Sequence, residues 1–302
     1  MNRSSALAII SRRAVVGGLS ALTVSPMAFA KHIPNKLARA HAALKTIEAA
    51  SGGHLGVAVR DTGGPLHIEY NADHPFPLCS TFKFLAVAMM LACVDSKADT
   101  LDRQVPYSAA DLLEYAPIAK QHVGDGAMTV SALCAAAIEY SDNTAANLLL
   151  REMGGPLALT RFIRLLDDAV TRLDRNEPTL NEVRPGEVHD TTSPAAMLAD
   201  MERILLGDVL TSRSRAQLDA WLVGCTTGGK RLRAGLPSDW QVGDKTGTWG
   251  ATCNDIAIVR PPSRQPILAT AYLAEAKVDG AGREKALADV GRVIAELYSP
   301  SE

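Results

Sequence analysis

From Phe82 to Val94 the chain reads FKFLAVAMMLACV, a run with one charge and neither glycine nor proline. Such a run is a helix, and a helix apolar on every side must be enclosed by other protein. The fold therefore has to build a core around this segment. Lys83 complicates it, lying at the second position of the run and three residues after Ser80. Burying an unpaired ammonium costs several kcal/mol, so Lys83 must find partners or give up its proton. With 302 residues the chain is long enough to enclose such a helix, in one large domain or two interlocked ones.

The two ends of the sequence have a different texture. "NKLARAHAALKTIEAAS" places Leu37, Ala40, Leu44 and Ile47 on one helical stripe. "HLGVAVRD", the turn "TGG" and "PLHIEYN" then form a β-hairpin. At the far end "WQVGDKTGTW", "NDIAIVRP" and "QPILATAYLAE" read as strands. "GREKALADVGRVIAELY" closes the chain with Leu287, Val290, Ile294 and Leu297 on one face. The middle is helical: "TVSALCAAAIEY", "NTAANLLLREM" with a Gly-Gly stop, and "SPAAMLADMERILLG" with Ser193 as N-cap and Pro194 in the first turn. The fold class is thus α/β plus all-α, an antiparallel sheet flanked by the terminal helices with an inserted helical domain. Residues 31–72 and 225–302 form the discontinuous α/β domain and 73–224 the all-helical one. A site in the cleft between them is the expectation.

The first thirty residues hold Arg3, Arg12 and Arg13 and no acid, then an apolar stretch and the small-residue triplet Ala28–Phe29–Ala30. This is the pattern of a signal peptide, and "SRR" before the apolar stretch hints at twin-arginine export. The glycines and Pro26 argue against a permanent span. The expected location is periplasmic. Without residues 1–30 the chain carries 28 basic and 33 acidic residues, a net of -5. No basic run or aromatic platform suggests nucleic-acid binding. The five cysteines follow no disulfide or zinc spacing, and the seven histidines show no HxH or HExxH pattern, so neither a metal nor a cofactor is expected.

Four short motifs carry chemistry. Ser80 and Lys83 stand at i and i+3, one face of a helix. A seryl hydroxyl is a poor nucleophile until a base takes its proton, and a desolvated lysine can be that base. Backbone N–H groups at the helix N-terminus can steady an oxyanion. Next, Ser141 in "YSDN" can relay a proton and Asn143 can hold an amide, although Ser-Asp-Asn is equally a helix cap. Third, "DKTGTW" puts Lys245, Thr246, Gly247 and Thr248 on a strand whose edge can pair with an amide-like substrate. Gly247 allows close backbone approach there, while Lys245 and Thr246 suit a carboxylate; a turn with an exposed lysine is the other reading. Finally, Glu177, Leu180 and Asn181 make an E-x-x-L-N set inside the irregular segment from Arg175 to Asp190. Loops of that length are usually functional or disordered, and Arg175 with Asp190 can close its neck or remain two solvated charges. Each motif alone is weak; all four in this order by accident is on the order of 1 in 10⁵.

This constellation resembles the class A serine β-lactamases, within the penicillin-recognising serine enzymes. "SDNTAANLLL" and "RPGEVHDTTSP" extend the likeness beyond the motif cores. The resemblance implies hydrolysis of the β-lactam ring of antibiotics, and so resistance to them, through an acyl-enzyme on Ser80. The backbone N–H groups of Ser80 and Thr248 would form the oxyanion hole. Lys83 would be the base near Ser80 or a partner of Glu177. Ser141 would pass a proton to the lactam nitrogen, and Asn143 would bind the side-chain amide. Glu177 and Asn181 would hold the deacylating water. Lys245, Thr246 and Thr248 would bind the carboxylate, with Gly247 beside them and Tyr115 lining the wall. Glu177 separates this reading from a penicillin-binding D,D-peptidase, which stays acylated; a non-enzymatic β-lactam sensor is the other rival.

Two departures from the family pattern stand out. Many members carry an arginine near the position of Cys253, and "TWGATCND" has none. Others place it after "TTG"; here "TTGGKRLRAG" offers Arg231, either the carboxylate-binding guanidinium or a surface arginine. Cys79 precedes Ser80 as in the carbapenem-hydrolysing members, where it bonds a cysteine just after Lys-Thr-Gly-Thr. That position is Trp249, which would reshape the pocket, so the familiar disulfide is not expected; a Cys79–Cys253 bridge stays open. The implied partners are small-molecule β-lactam substrates and inhibitors, with no nucleic acid and no membrane after signal cleavage. The protein is expected to be a monomer.

Overall fold

The structure, a computed structural model, describes residues 26–184 and 186–298, with side chains from residue 35 onward. The expected signal peptide falls outside the described residues up to position 25. Helix α1, Pro26–Ser51, begins just before the expected cleavage point.

Strands β1 (His54–Asp61) and β2 (His67–Tyr70) follow α1 as a hairpin. The chain then leaves the sheet through β3 (Phe76–Pro77) and a 3₁₀ turn at Cys79–Thr81 into α2 (Phe82–Asp95). A short ribbon of β4 (Gln104–Pro106) and β5 (Ala127–Thr129) brackets the single-turn α3 (Ala119–His122). Three helices come next: α4 (Val130–Glu139), α5 (Asn143–Met153) and α6 (Pro156–Leu165). The long loop leads to β6 (Thr191–Thr192), α7 (Pro194–Leu205), α8 (Ser212–Val223) and the short α9 (Leu232–Gly235). Strands β7 (Gln241–Trp249), β8 (Thr252–Arg260) and β9 (Ile267–Ala274) complete the sheet, and α10 (Gly280–Tyr298) ends the described chain.

The main sheet has the order β2-β1-β9-β8-β7 and is antiparallel throughout. Its two faces serve two cores. Val57 and Val59 of β1, with Ala257 and Val259 of β8, pack against Leu44 of α1 and Leu287 and Ile294 of α10. The intervening Ala58, Ile256 and Ile258 face the helical body around α2. Burial on both faces explains why these strands read as continuous apolar runs rather than alternating ones. α2 is the axis of the second core, with every residue from Phe82 to Ala88 buried.

Local sequence sets the helix boundaries. Thr129, Asp142, Ser193 and Thr211 each accept a backbone N–H in the first turn of the following helix. Gly154 ends α5 at φ 95°, and the next amide returns to the Leu150 carbonyl. Ser80 is not in the α-helix proper but in the 3₁₀ turn ahead of it. Cys79 there has φ 43°, a left-handed conformation that turns the chain abruptly before the helix.

Candidate active site

α2 delivers Lys83 into the interior, with none of its surface exposed. Its Nζ donates to Ser80 Oγ at 2.9 Å, the Ser141 carbonyl at 2.8 Å and Asn143 Oδ1 at 2.5 Å. Glu177 Oε1 lies 3.3 Å away. An ammonium has three protons, so these acceptors compete for it. Burial pushes the Lys83 pKa down, against the pull of the Glu177 carboxylate. The desolvation that made this lysine anomalous in an apolar run is also what moves it toward a base.

Ser141 joins two lysines. Lys245 Nζ donates to its Oγ at 3.0 Å, and Lys83 Nζ stands 3.4 Å from the same atom. The hydroxyl oxygen is thus an acceptor toward the interior, which leaves its own proton free for a partner in the cleft. Burial lowers Lys245 to about 7, with the Lys83 charge adding to the shift. The turn is held by Asp142. Its Oδ1 takes the Ala145 N–H, and its Oδ2 takes the N–H groups of Ile118 and Ala119. Asn143 N–H donates to the Tyr115 carbonyl at 3.0 Å, which sets Tyr115, half exposed, on the rim.

The long loop carries Glu177. Asn147 of α5 grips that residue's backbone from both sides: Nδ2 donates to its carbonyl at 2.8 Å and Oδ1 accepts its N–H at 3.0 Å. Glu177 Oε1 lies 3.4 Å from Ser80 Oγ, and Oε2 accepts from Asn181 Nδ2 at 2.6 Å. At the neck Arg175 Nε donates to Asp190 Oδ2 at 2.6 Å. Asp190 is fully buried, and its Oδ1 also takes the N–H groups of Asp174 and Arg175. The pairing of β3 with β6, together with Leu78 N–H to the Asp190 carbonyl, fixes the end of this loop beside the segment entering Ser80.

The opposite wall is the β7 edge. A Cβ at Gly247 would stand 3.0 Å from both the Cys79 Cβ and the Leu78 carbonyl oxygen, so glycine lets the strand approach the nucleophile turn. Arg231 is 5% exposed and aimed along this strand rather than into solvent. It donates to the carbonyls of Gly247 (3.0 Å) and Asn254 (2.7 Å) and to Thr248 Oγ1 (2.5 Å). Thr227 Oγ1 meets Thr246 Oγ1 at 2.6 Å.

These walls enclose a cleft of about 420 Å³. Ser80, Ser141, Asn143, Glu177, Asn181, Tyr115, Arg231, Thr246, Thr248 and Trp249 all line it. Lys83, Lys245 and Gly247 lie behind that lining, while Arg175 and Asp190 hold the loop that frames it. Thr227, Asn147 and Asn254 belong to the same construction and carry no motif of their own. Thr227 stands in the "TTG" that precedes Arg231, its one sequence signal. Asn147 and Asn254, which donates to the Pro77 carbonyl at 2.8 Å, act across long sequence separations. All five cysteines are free. Cys253 pairs across the strands with Thr248 and sits in the core under α10, whereas Cys79 lies against Gly247. Neighbouring strand residues point to opposite faces, so the sheet itself separates the two thiols. Among the described residues no three His, Cys, Asp or Glu side chains gather as a metal site.

The chain matches a family model described as the β-lactamase enzyme family over residues 39–298. It is 45% identical over 272 residues to the β-lactamase of Streptomyces albus G, covering 88% of this chain and 86% of the relative. It is 43% identical over 256 residues to β-lactamase CTX-M-25 of Escherichia coli, covering 84% of this chain and 88% of the relative. Among solved structures it is similar to an ancestral (GNCA) class A β-lactamase. The TM-score there is 0.84 at 55% identity, over 86% of this chain and all of that one. A β lactamase from Xanthomonas campestris superposes with a TM-score of 0.85 at 46% identity, over 87% of this chain and 99% of that one.

Proposed function

This chain belongs to the β-lactamase enzyme family, on its class A branch, and on that premise we propose how its residues divide the work. The protein hydrolyses β-lactam antibiotics and so confers resistance to them. Ser80 attacks the lactam carbonyl and becomes acylated. Both candidate bases reach its hydroxyl, Lys83 at 2.9 Å and Glu177 at 3.4 Å, and they are 3.3 Å from each other. The proton therefore passes to a coupled Lys83–Glu177 pair rather than to either group in isolation. The oxyanion that develops is held by the backbone N–H groups of Ser80 and Thr248. Ser141, its proton free for a partner in the cleft, protonates the departing nitrogen and is refilled from the lysines behind it.

Carboxylate recognition falls to Thr246 and Thr248, backed by Lys245 and Arg231. Arg231 bonds to Thr248 Oγ1, so its charge reaches the carboxylate beside that hydroxyl. Asn143 takes the substrate's side-chain amide, and Tyr115 and Trp249 form the two walls against which the substituents lie. Trp249 is 46% exposed on the strand edge, a broad apolar plane free to meet a substituent.

One observation carries hydrolysis over mere acylation: a carboxylate fixed at 3.4 Å from the nucleophile oxygen and anchored by Asn181. Glu177 activates the water that cleaves the ester, and a positioned base of this kind is worth about 10²–10⁴-fold. Replacing Glu177 by alanine is expected to leave penicillin acylation detectable by mass spectrometry as a persistent adduct while steady-state turnover collapses. Undiminished turnover in that variant would remove Glu177 from this role, and a persistent adduct on the parent enzyme would indicate a D,D-peptidase. Among the described residues no helix is long and apolar enough to cross a membrane. The arginine-bearing leader pattern supports export to the periplasm, where the enzyme acts as a monomer.

A further inference from the structure

A buried pair of acids lies outside the cleft. Asp200, two turns into α7, is 0% exposed, and Asp168, just after α6, is 7% exposed. The two carboxyl groups are close neighbours in the core, near enough for the Asp168 side chain to act directly on Asp200. Asp168 Oδ1 accepts the N–H groups of Val170 and Thr171 at 2.6 and 3.0 Å. Its Oδ2 and both carboxyl oxygens of Asp200 meet no donor among the described residues. The nearby cations are engaged elsewhere: Arg164 donates to the carbonyls of Asp168 and Thr171, and Arg203 to Asp167 Oδ2. Two buried carboxylates in contact cannot both stay ionised without such a cation. A single proton between them turns one orphan acceptor into a donor and joins two of the three orphan oxygens.

We infer that Asp200 is a positioning residue: as a neutral carboxylic acid it donates a hydrogen bond to Asp168 and so ties α7 to the segment that leads into the Glu177 loop. The connections from there are short. Asp168 fixes the amide of Thr171, whose hydroxyl meets that of Thr192 at 2.7 Å. Arg172 N–H donates to the Thr191 carbonyl. Two residues on, Asp174 N–H enters the Asp190 neck, and Glu177 follows. The acid pair thus sits at the root of both strands of that loop. This coupling rests on Glu177 as the deacylating base.

The proton is held over a wide pH range. Burial first, then the Asp168 charge and hydrogen bond, raise Asp200 to about 9; Arg203 and Arg164 oppose this. Tyr272 of β9 also feels the Asp200 charge. Unfolded, Asp200 titrates near 3.8. Between these values the folded state binds one more proton than the unfolded state, so this group's contribution to stability falls as pH rises and levels off above about 9. Ionisation within the folded enzyme comes at the upper end, where repulsion between the two acids loosens the loop root.

The test compares the parent with Asp200→Asn, whose carboxamide donates the same bond and cannot ionise. The Tm of the parent relative to the variant should fall steadily from about pH 5 to about pH 9. The alkaline limb of kcat should lie about one pH unit or more higher in the variant, with acyl-enzyme accumulating at about pH 10 in the parent alone. Superimposed kcat and Tm profiles overturn the proposal. Infrared spectroscopy supplies an arm that does not need that variant: a protonated-carboxyl band at neutral pH that disappears on passing about pH 9 and shifts in Asp168→Asn, which separates it from any band of the buried Asp255. Its absence overturns the shared proton even if Asp200→Asn fails to fold. Turnover surviving in Glu177→Ala would instead overturn the base assignment and leave the infrared and unfolding arms intact.

Discussion

Lys83 and Lys245 are both fully buried, but their surroundings give them different costs. Lys83 has the Glu177 carboxylate at 3.3 Å. Lys245 has only neutral acceptors, the Ser141 hydroxyl and the Thr246 carbonyl. Its pKa of about 7 lies below the ordinary 10.5, so between those values the unfolded chain binds more protons and stability rises with pH. Lys245→Met should therefore remove that slope and stabilise the fold at neutral pH by about 1–4 kcal/mol. It should also raise KM for β-lactams that carry a carboxylate. Denaturant titration and steady-state kinetics test both halves, and a variant no more stable than the parent would contradict the cost assigned to this lysine. At this scale the sequence was informative wherever chemistry is packed into three or four consecutive positions. Ser80 with Lys83, Ser141 with Asn143, and Lys245 to Thr248 all declared themselves. Thr227, Asn147 and Asn254 did not, because each acts on a partner distant in the chain. Asp200 reads in sequence as one more polar residue of an amphipathic helix; only packing shows it against a second acid.

Among the elements, the long loop depends most on a single tie. Asp190 accepts three hydrogen bonds at the neck, and one comes from the Arg175 side chain. Arg175→Ala leaves the two backbone bonds but strands a buried carboxylate without its cation. A loss of about 2–3 kcal/mol is expected, below the range for a wholly enclosed pair because Arg175 is partly solvated. Hydrogen exchange should rise selectively across 175–190, with turnover of penicillins falling as Glu177 loses its position. Unchanged protection in that window would place the stiffness of the loop elsewhere. The sequence offered this neck as one of two readings of the opposite charges that bracket an irregular segment, the other being two solvated charges. It gave no sign of the β3–β6 and β4–β5 ribbons, whose strands of two or three residues are too short to show periodicity. It also drew Ser80 into a continuous helix, whereas the left-handed Cys79 starts a separate turn.

The whole molecule is a sheet between two cores that do different jobs. The core under α1 and α10 joins the first and last described helices to the sheet, and the core around α2 supports the cleft. Leu287, completely buried in the first, is a clean probe of that division. Leu287→Ala should cost about 2–5 kcal/mol and lower Tm by roughly 5–15 °C. kcat/KM per folded molecule should stay at the parent value. A kinetic defect that survives correction for the folded fraction would show that the two cores are not independent. The layered architecture followed from strands at both ends and helices between, and the continuous burial of β8 and β9 shows why no alternation marked their faces.

The position of β1 in the sheet has a consequence for how the protein is made. Its hydrogen-bonded neighbours are β2, beside it in sequence, and β9, roughly two hundred residues later. A ribosome must therefore release roughly two hundred further residues before the first strand can find its second neighbour. Until then the N-terminal hairpin waits with one edge unpaired and its apolar faces uncovered, the state in which nascent chains recruit chaperones. Closure of the sheet is thus a late event for this molecule, and a transporter that accepts only finished cargo would have to wait for β9.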